Sequence, residues 1–216
     1  MRWRHIRVLA LMWLVVGNAG KLPAQETVDR IAARVENDII LQSEVKELSR
    51  YQFLVDGKSE SDAAILDRLI DQWVVRTEAE TARFPHPGEL EIKRGLERLE
   101  KSFASPSEYE SRKKECGLRE AEIRETVASQ IFLNNYLDSR FRSSVQVDAK
   151  AIEDFYQSAV LPRAKARGQE PPTLEAARDY IQDALIQAQI DEQADRWLKE
   201  SRARLHVEKL LEDAAK

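Results

Sequence analysis

The chain has 216 residues, with 34 Lys and Arg against 38 Asp and Glu, a net charge of −4. An acidic chain is a poor partner for nucleic acid or an anionic membrane, so we exclude both as main partners. The single cysteine, Cys116, excludes an internal disulfide. Because Cys116 precedes Gly117 at a predicted helix end, where the dipole disfavours a thiolate, we interpret it as structural.

Residues 1–24 are typical of a cleaved export signal. A basic start precedes the uncharged apolar run 8–16, which is too short for a bilayer span of roughly 20 residues. We predict cleavage after Ala24, with Ala19 as a second candidate, and an uncleaved membrane anchor is the alternative. Cleavage leaves 30 basic against 38 acidic residues, a net charge near −8, and no apolar run long enough to be an integral membrane segment.

The stretch 28–45, VDRIAARVENDIILQSEV, predicts a short strand, a turn at Asn37-Asp38 and a helix that begins near Ser43. Residues 205–209 alternate again and predict a terminal strand. A lone strand leaves its backbone groups unpaired, so we expect these two strands to pair in a small two-stranded sheet. The side chains expected to face the core are those of Ile31, Ala33, Val35, Leu205 and Val207.

Between the two strands, glycine and proline fall only between segments of helical periodicity, which predicts a mainly α fold with several helices. We predict helices at about 43–55, from 61 to the break at Pro85, 88–103, 105–116, 119–140, 148–160 and 173–197. The second carries a double apolar stripe and should be central to the core. In domain terms we predict a signal peptide at 1–24, a helical domain at 25–160, a linker at 161–172, and a C-terminal helix and strand at 173–216 that return to that domain.

The sequence contains no combination of residues that forms a known catalytic or metal-binding motif. His5 lies in the signal, His86 stands between two prolines, and His206 lies on the terminal strand. No GxSxG, HExxH or phosphate-binding glycine loop is present, and the carboxylates alternate with Lys and Arg as on solvated helix faces. We therefore predict no catalytic residue, no metal site and no cofactor. The amphipathic helices form either a closed bundle or an apolar groove for another chain.

Four segments of the chain carry characteristic patterns of helix boundaries and apolar positions. They are VDRIAARVENDIILQSEV, FASPSEYESRKKECGLREAEIRETVASQIFLNNYL, RSSVQVDAKAIEDFYQ and LEAARDYIQDALIQAQIDEQADRWLKESRARLHVEKL. These segments resemble the N-terminal domain of the SurA family of periplasmic chaperones. The resemblance covers nearly the whole chain after the signal. It implies a periplasmic protein whose C-terminal helix and strand fold back onto the N-terminal domain. It also implies binding of unfolded, aromatic-rich segments of outer-membrane β-barrel proteins or of other exported proteins.

The chain departs from the SurA, PpiD and PrsA pattern in one respect. Those proteins carry parvulin-type prolyl isomerase domains of roughly a hundred residues where this chain has only residues 161–172. We therefore expect a holding chaperone without a catalytic centre. A degenerate prolyl isomerase and a scaffold for one dedicated partner are the alternatives. A homodimer formed by swapping the C-terminal segment is also possible on these grounds.

The residues that bind unfolded polypeptide are not identifiable from the sequence. Aromatic side chains near two predicted helix ends are conceivable contacts, but core packing is the favoured interpretation for each of them. These side chains are Tyr51, Phe53, Phe103 and Tyr109.

Overall fold

The computed structural model describes residues 29–211. The predicted signal peptide at 1–24 and the last residues of the predicted C-terminal segment lie outside this range. Within it the fold is mainly α-helical, as predicted. The strands are β1 (Ile31–Val35), β2 (Asp38–Leu41) and β3 (Val207–Lys209), and the helices are α1 (Gln42–Asp56), α2 (Asp62–Thr81), α3 (Glu89–Lys101), α4 (Pro106–Cys116), α5 (Glu120–Phe141), α6 (Ala149–Phe155), α7 (Leu161–Ala166) and α8 (Leu174–Arg202).

The sheet has three strands in the order β2-β1-β3, so the prediction of two strands was wrong. The predicted pairing of the two ends is present, because β1 and β3 are antiparallel. The sequence analysis missed β2, whose apolar residues were interpreted as the approach to α1. β2 folds back on β1 through a two-residue turn, in which Glu36 adopts a left-handed conformation with φ 54°. Such a short turn brings the two strands into antiparallel register.

Ile31 is only half-buried, whereas it was predicted to face the core. β1 pairs Ile31 with Leu41 and Ala33 with Ile40, which leaves Ala32 as an extra residue in a bulge. A bulge shifts the alternation of side chains by one residue, so Ala32, Ala33 and Val35 are the buried residues of β1 instead. A simple period of two does not anticipate this shift.

Four of the predicted helix boundaries are confirmed by their caps. Gly57 ends α1 in the left-handed conformation, with φ 66°. At the helix starts, the side chains of Ser105, Asp148 and Thr173 each accept a hydrogen bond from the backbone N–H three residues on. Short polar side chains placed before apolar periodic runs thus set the boundaries of α4, α6 and α8.

Three apolar clusters form the body of the molecule. The first joins the sheet to α1 and α2, the second joins α1 to α4 and α5, and the third joins α2 and α5 to the C-terminal half of α8. Ile65, Leu66 and Ile70 of α2 are fully buried or nearly so, as its double stripe predicted. Each large buried side chain contributes about 1.5–3 kcal/mol, so α2 is central to the fold.

A fourth cluster lies apart from the body and joins α6 to the N-terminal half of α8 around Ile152 and Ile181. α8 has 29 residues and is therefore about 43 Å long, which lets one half pack on the body and the other on α6. We call α6, α7 and the N-terminal half of α8 the helical arm.

The predicted linker 161–172 begins as helix rather than as coil. α6 continues through a π turn, Tyr156–Val160, into α7, which ends at Ala166. Pro162 has no N–H to donate to the preceding turn and its ring crowds that turn, so the helix widens there. Only residues 167–173 connect α7 to α8. Gly168, with φ 64°, and the two prolines after it keep this connection out of a helix.

An ion network ties the C-terminal segment to α2. The guanidinium of Arg202 lies 2.5 Å from Asp67 and 3.1 Å from Asp71, and the Lys209 ammonium lies 2.8 Å from Asp67. Burial favours the neutral form of Asp67, but hydrogen bonds from Lys209 and Arg202 outweigh burial and lower its pKa. For Asp71, burial outweighs Arg202 and raises the pKa. The two carboxylates therefore contribute to stability with opposite signs.

Val35→Asp should lower the free energy of unfolding by about 3–5 kcal/mol, the range for an uncompensated buried charge. Val35 is 0% exposed and lies on the central strand. The control, Arg34→Ala, removes a half-exposed ion pair with Glu208 and should cost about 1 kcal/mol or less. Denaturant unfolding followed by circular dichroism measures both values, and similar midpoints for the two variants would contradict the central position of β1.

Asp67→Asn should lower the free energy of unfolding at pH 7 by about 1 kcal/mol, because two cations lose their partner. The stability that Asp67 contributes is present above the ordinary Asp pKa of about 3.9 and is lost as the pH falls through the lowered value. Asp71→Asn should change stability little or increase it, because the carboxylate of Asp71 is disfavoured in the folded state. Urea titrations between pH 3 and pH 7 measure the free energy of unfolding of both variants. Equal losses of stability for Asp67→Asn and Asp71→Asn would contradict the opposite contributions of the two carboxylates.

Candidate functional site

The main candidate site is a groove between α2 and α5 that consists of two adjoining clefts. One, of about 250 Å³, lies among α1, α2 and α5, and the other, of about 400 Å³, lies among α2, α3, α5 and the loop before α3. Arg76 and Ser129 line both clefts. The α2–α5 groove is lined by Glu44, Glu47, Leu48, Leu69, Gln72, Arg76, Glu80, His86, Pro87, Ile92, Glu125, Thr126, Ala128, Ser129, Gln130 and Phe132.

The groove has an apolar floor and a polar rim. Leu48, Ile92 and Phe132 are each less than 8% exposed and form part of the core beneath it. The rim follows from helical spacing, since Gln72, Arg76 and Glu80 are four residues apart on α2 and share one face. An apolar floor with polar edges is typical of a surface that receives another polypeptide.

The second cleft owes its shape to the loop between α2 and α3. The ring of His86 stacks on Phe132, with centroids 4.3 Å apart and planes 11° apart. Phe84 contacts Tyr136 edge-on, at 5.6 Å between centroids. His86 stands between two prolines, whose fixed backbone angles restrict the loop. The loop therefore forms a preorganised wall of the cleft.

The first cleft is acidic. Glu44, Glu47 and Glu125 line it, and Glu44 accepts a hydrogen bond from the N–H of Leu41 at the start of α1. Burial raises the pKa of Glu47, and the negative charges of Glu122 and Glu125 raise it further. The contribution of Glu122 and Glu125 to this rise, beside that of burial, reflects the negative charge of the carboxylates around the cleft.

A hydrogen bond of 3.2 Å from Arg76 to the hydroxyl of Ser129 crosses the groove where the clefts meet. It links α2 to α5 at the rim, above the buried contacts of Val75 and Ala79 with Phe132. This bond therefore links the two walls of the groove at the point where the clefts meet.

A third cleft, of about 410 Å³, lies among α1, α3 and α5. Gly95 of α3 lines it, and a side chain there would meet Val127 and Ile131 of α5 at 2.8 Å. The missing side chain lets α3 approach α5 closely, which places Ile92, one turn earlier, in the floor of the second cleft. Gly95 therefore contributes to the shape of the α2–α5 groove from outside it.

The four aromatic residues singled out in the sequence belong to the core. Tyr51 is 4% exposed and Tyr109 is 7% exposed, and Phe53 and Phe103 pack against the same cluster. Burial raises the pKa of Tyr51 to about 12. The core-packing interpretation is confirmed for these residues, and none of them lines the α2–α5 groove.

The other chemistry-bearing residues are dispersed. Cys116 is buried beside α1 and α5, and burial raises the pKa of its thiol. This environment agrees with the structural role that the sequence predicted for it. The N–H of His206 donates to Glu36, which links the segment before β3 to the turn after β1. Of the two histidines that the structure describes, only His86 lies in the groove.

Within residues 29–211, no three or more His, Cys, Asp or Glu side chains lie close enough together to hold a metal ion. In the same residues, no helix combines the length and the apolar character that crossing a membrane requires.

No protein-family model matches the chain, and no curated protein was found to be similar to it.

The sequence analysis missed the groove because its lining comes from four separate segments. The sequence of α2 contains one indication of the groove, because its apolar residues alternate with Gln72, Arg76 and Glu80. The position of α5 beside α2, which turns that face into one wall of a groove, is a tertiary contact that periodicity does not predict.

Gly95→Ala should lower the free energy of unfolding by about 1–2 kcal/mol, because the new methyl group overlaps the stiff side chain of Val127. The matched control is Gly88→Ala at the start of α3, where a methyl group meets nothing within 4 Å. That control should change stability by about 0.5 kcal/mol or less, since lost capping and reduced freedom of the unfolded chain offset each other. Thermal unfolding compares the two variants, and an equal effect would mean that α3 does not approach α5 closely.

Proposed function

We propose that this chain is an exported chaperone of the SurA type, without a catalytic centre, that binds unfolded segments of outer-membrane or other exported proteins in the periplasm. The observation that carries the proposal is the open α2–α5 groove, with its apolar floor and polar rim. Shallow apolar surfaces of this kind bind weakly and tolerate many sequences, as a chaperone requires.

The dimensions of the groove support an extended occupant. Along α2, Leu69 to Glu80 spans about 16 Å, and along α5, Glu125 to Phe132 spans about 10 Å. An extended polypeptide rises about 3.3 Å per residue, so the groove accommodates roughly three to five residues. A short contact along the chain gives a low affinity and rapid release.

The arrangement of the two chain ends also supports the proposal. α8 packs on α2 and α5, and β3 pairs with β1, which is the return of the C-terminal segment that the SurA resemblance implies. The export signal predicted at 1–24 accounts for the compartment. The prediction that no catalytic step is involved is part of the same proposal.

Ala128→Trp should abolish most of the holding activity of residues 25–216, because Ala128 is half-buried in the second cleft and a tryptophan there fills it. The matched control is Ala121→Trp, at an exposed position in the first turn of α5 outside the groove. The assay follows light scattering as several unrelated barrel proteins are diluted from urea. The unfolding midpoint of each variant shows that the fold is retained.

The wild-type chain and the control should keep all the barrel proteins soluble at equal concentration. If the wild-type chain protects none of them, the proposal fails. If it protects a single one, the dedicated scaffold is correct instead. Equal protection by Ala128→Trp and Ala121→Trp would place the binding surface outside the α2–α5 groove.

A further inference from the structure

We infer that the α2–α5 groove selects unfolded segments in which a Lys or Arg stands three residues from a large apolar side chain. This inference rests on the proposed function and adds the class of segment that the groove binds. The acidic first cleft takes the cation, and the apolar second cleft takes the apolar side chain.

The charge of the groove favours a cation. Glu44, Glu47, Glu80 and Glu125 line it together with a single guanidinium, that of Arg76. In the described part of the chain, neither Glu47 nor Glu125 forms an ion pair within 4 Å. Both carboxylates are therefore available to a basic side chain from a bound segment.

The cations of this chain that act on Glu47 already have partners. Arg50 and Arg119 both act on Glu47 from a distance, but each forms its ion pair with Glu122, at 3.7 Å and 3.0 Å. Arg76 lies at the junction of the clefts, where it bonds Ser129. The first cleft thus keeps an excess of negative charge, which a bound Lys or Arg would neutralise.

The apolar part of the preference comes from the second cleft. Ile92 and Phe132 form its floor, and His86 and Pro87 form its wall. The exposed ring of His86, which stacks on Phe132, and the ring of Pro87 offer surfaces against which an aromatic or large aliphatic side chain packs well.

The preferred spacing between the cation and the apolar side chain follows from α5, which contributes residues to both clefts. Glu125 and Phe132 are seven residues apart on α5, about 10 Å along its axis. Unfolded chains commonly adopt the polyproline II conformation, in which every third residue lies on the same side with a rise of about 9 Å. A cation and an apolar side chain three residues apart therefore reach the two clefts at the same time.

The test uses residues 25–216 and four fluorescein-labelled twelve-residue peptides in a Gly-Ser background. One carries Lys-Ser-Ser-Phe, one carries Glu-Ser-Ser-Phe, one carries Lys-Ser-Ser-Ser, and one carries adjacent Lys-Phe. Fluorescence anisotropy gives the dissociation constants at low salt and at 0.5 M salt, a level at which charge interactions are strongly screened (~4 Å Debye length). The variant pair is Glu47→Gln/Glu125→Gln, and the matched control is Glu97→Gln/Glu153→Gln, at exposed positions outside the groove.

We expect Lys-Ser-Ser-Phe to bind about tenfold more tightly than the other three peptides at low salt, with a smaller advantage at high salt. Glu47→Gln/Glu125→Gln should weaken its binding about fivefold to tenfold and leave Glu-Ser-Ser-Phe unaffected or bound more tightly. The control pair should bind all four peptides as the wild type does.

Equal binding of Lys-Ser-Ser-Phe and Glu-Ser-Ser-Phe, unchanged by the Glu47→Gln/Glu125→Gln pair, would overturn the charge preference while the proposed function stands. Equal binding of Lys-Ser-Ser-Phe and the adjacent Lys-Phe peptide would overturn the spacing. If the wild-type chain binds none of the peptides and protects no unfolded barrel protein, the proposed function itself is wrong.

Discussion

β1 is hydrogen-bonded along both of its edges, and this double pairing joins the two ends of the described chain. β2 pairs with one edge and β3 with the other. Glu36 strengthens the junction twice, because its N–H donates to the carbonyl of His206 and its carboxylate accepts from the N–H of the same residue. With both ends fixed, α8 returns across the body, where it packs on α2 and α5 without lining the groove between them.

Much of this fold could be predicted from the sequence, because caps and turns are local. Gly57, Ser105 and Thr173 each end or begin a helix through contacts within a few residues, and all three boundaries were predicted. β2 was missed because its pairing with β1 is decided by the backbone of Glu36, a residue type that rarely adopts a positive φ. The first part of the predicted linker is helical because a π turn accommodates Pro162, which composition alone does not reveal.

The candidate site was much less accessible to sequence reasoning than the fold. Large aromatic residues such as Tyr51 and Tyr109 attract attention in a sequence, yet burial removes them from any partner. The groove is instead lined by ordinary surface residues, such as Gln72 and Glu125, whose role depends on the neighbour that faces them. Charge follows the same rule: burial and the nearby charges of Glu122 and Glu125 set Glu47 apart from other surface carboxylates, while Arg50 and Arg119 pair with Glu122.

Site-specific photo-crosslinking tests most directly whether unfolded polypeptide lies in the α2–α5 groove. A photoreactive phenylalanine replaces Gln72 at the rim of the first cleft or, in a second sample, Gln182 on the exposed face of the helical arm. Each protein is irradiated with an unfolded barrel protein and separated on a denaturing gel. The account predicts crosslinked adducts from position 72 and none from position 182. Adducts from position 182 alone, or equal yields from both positions, would contradict it.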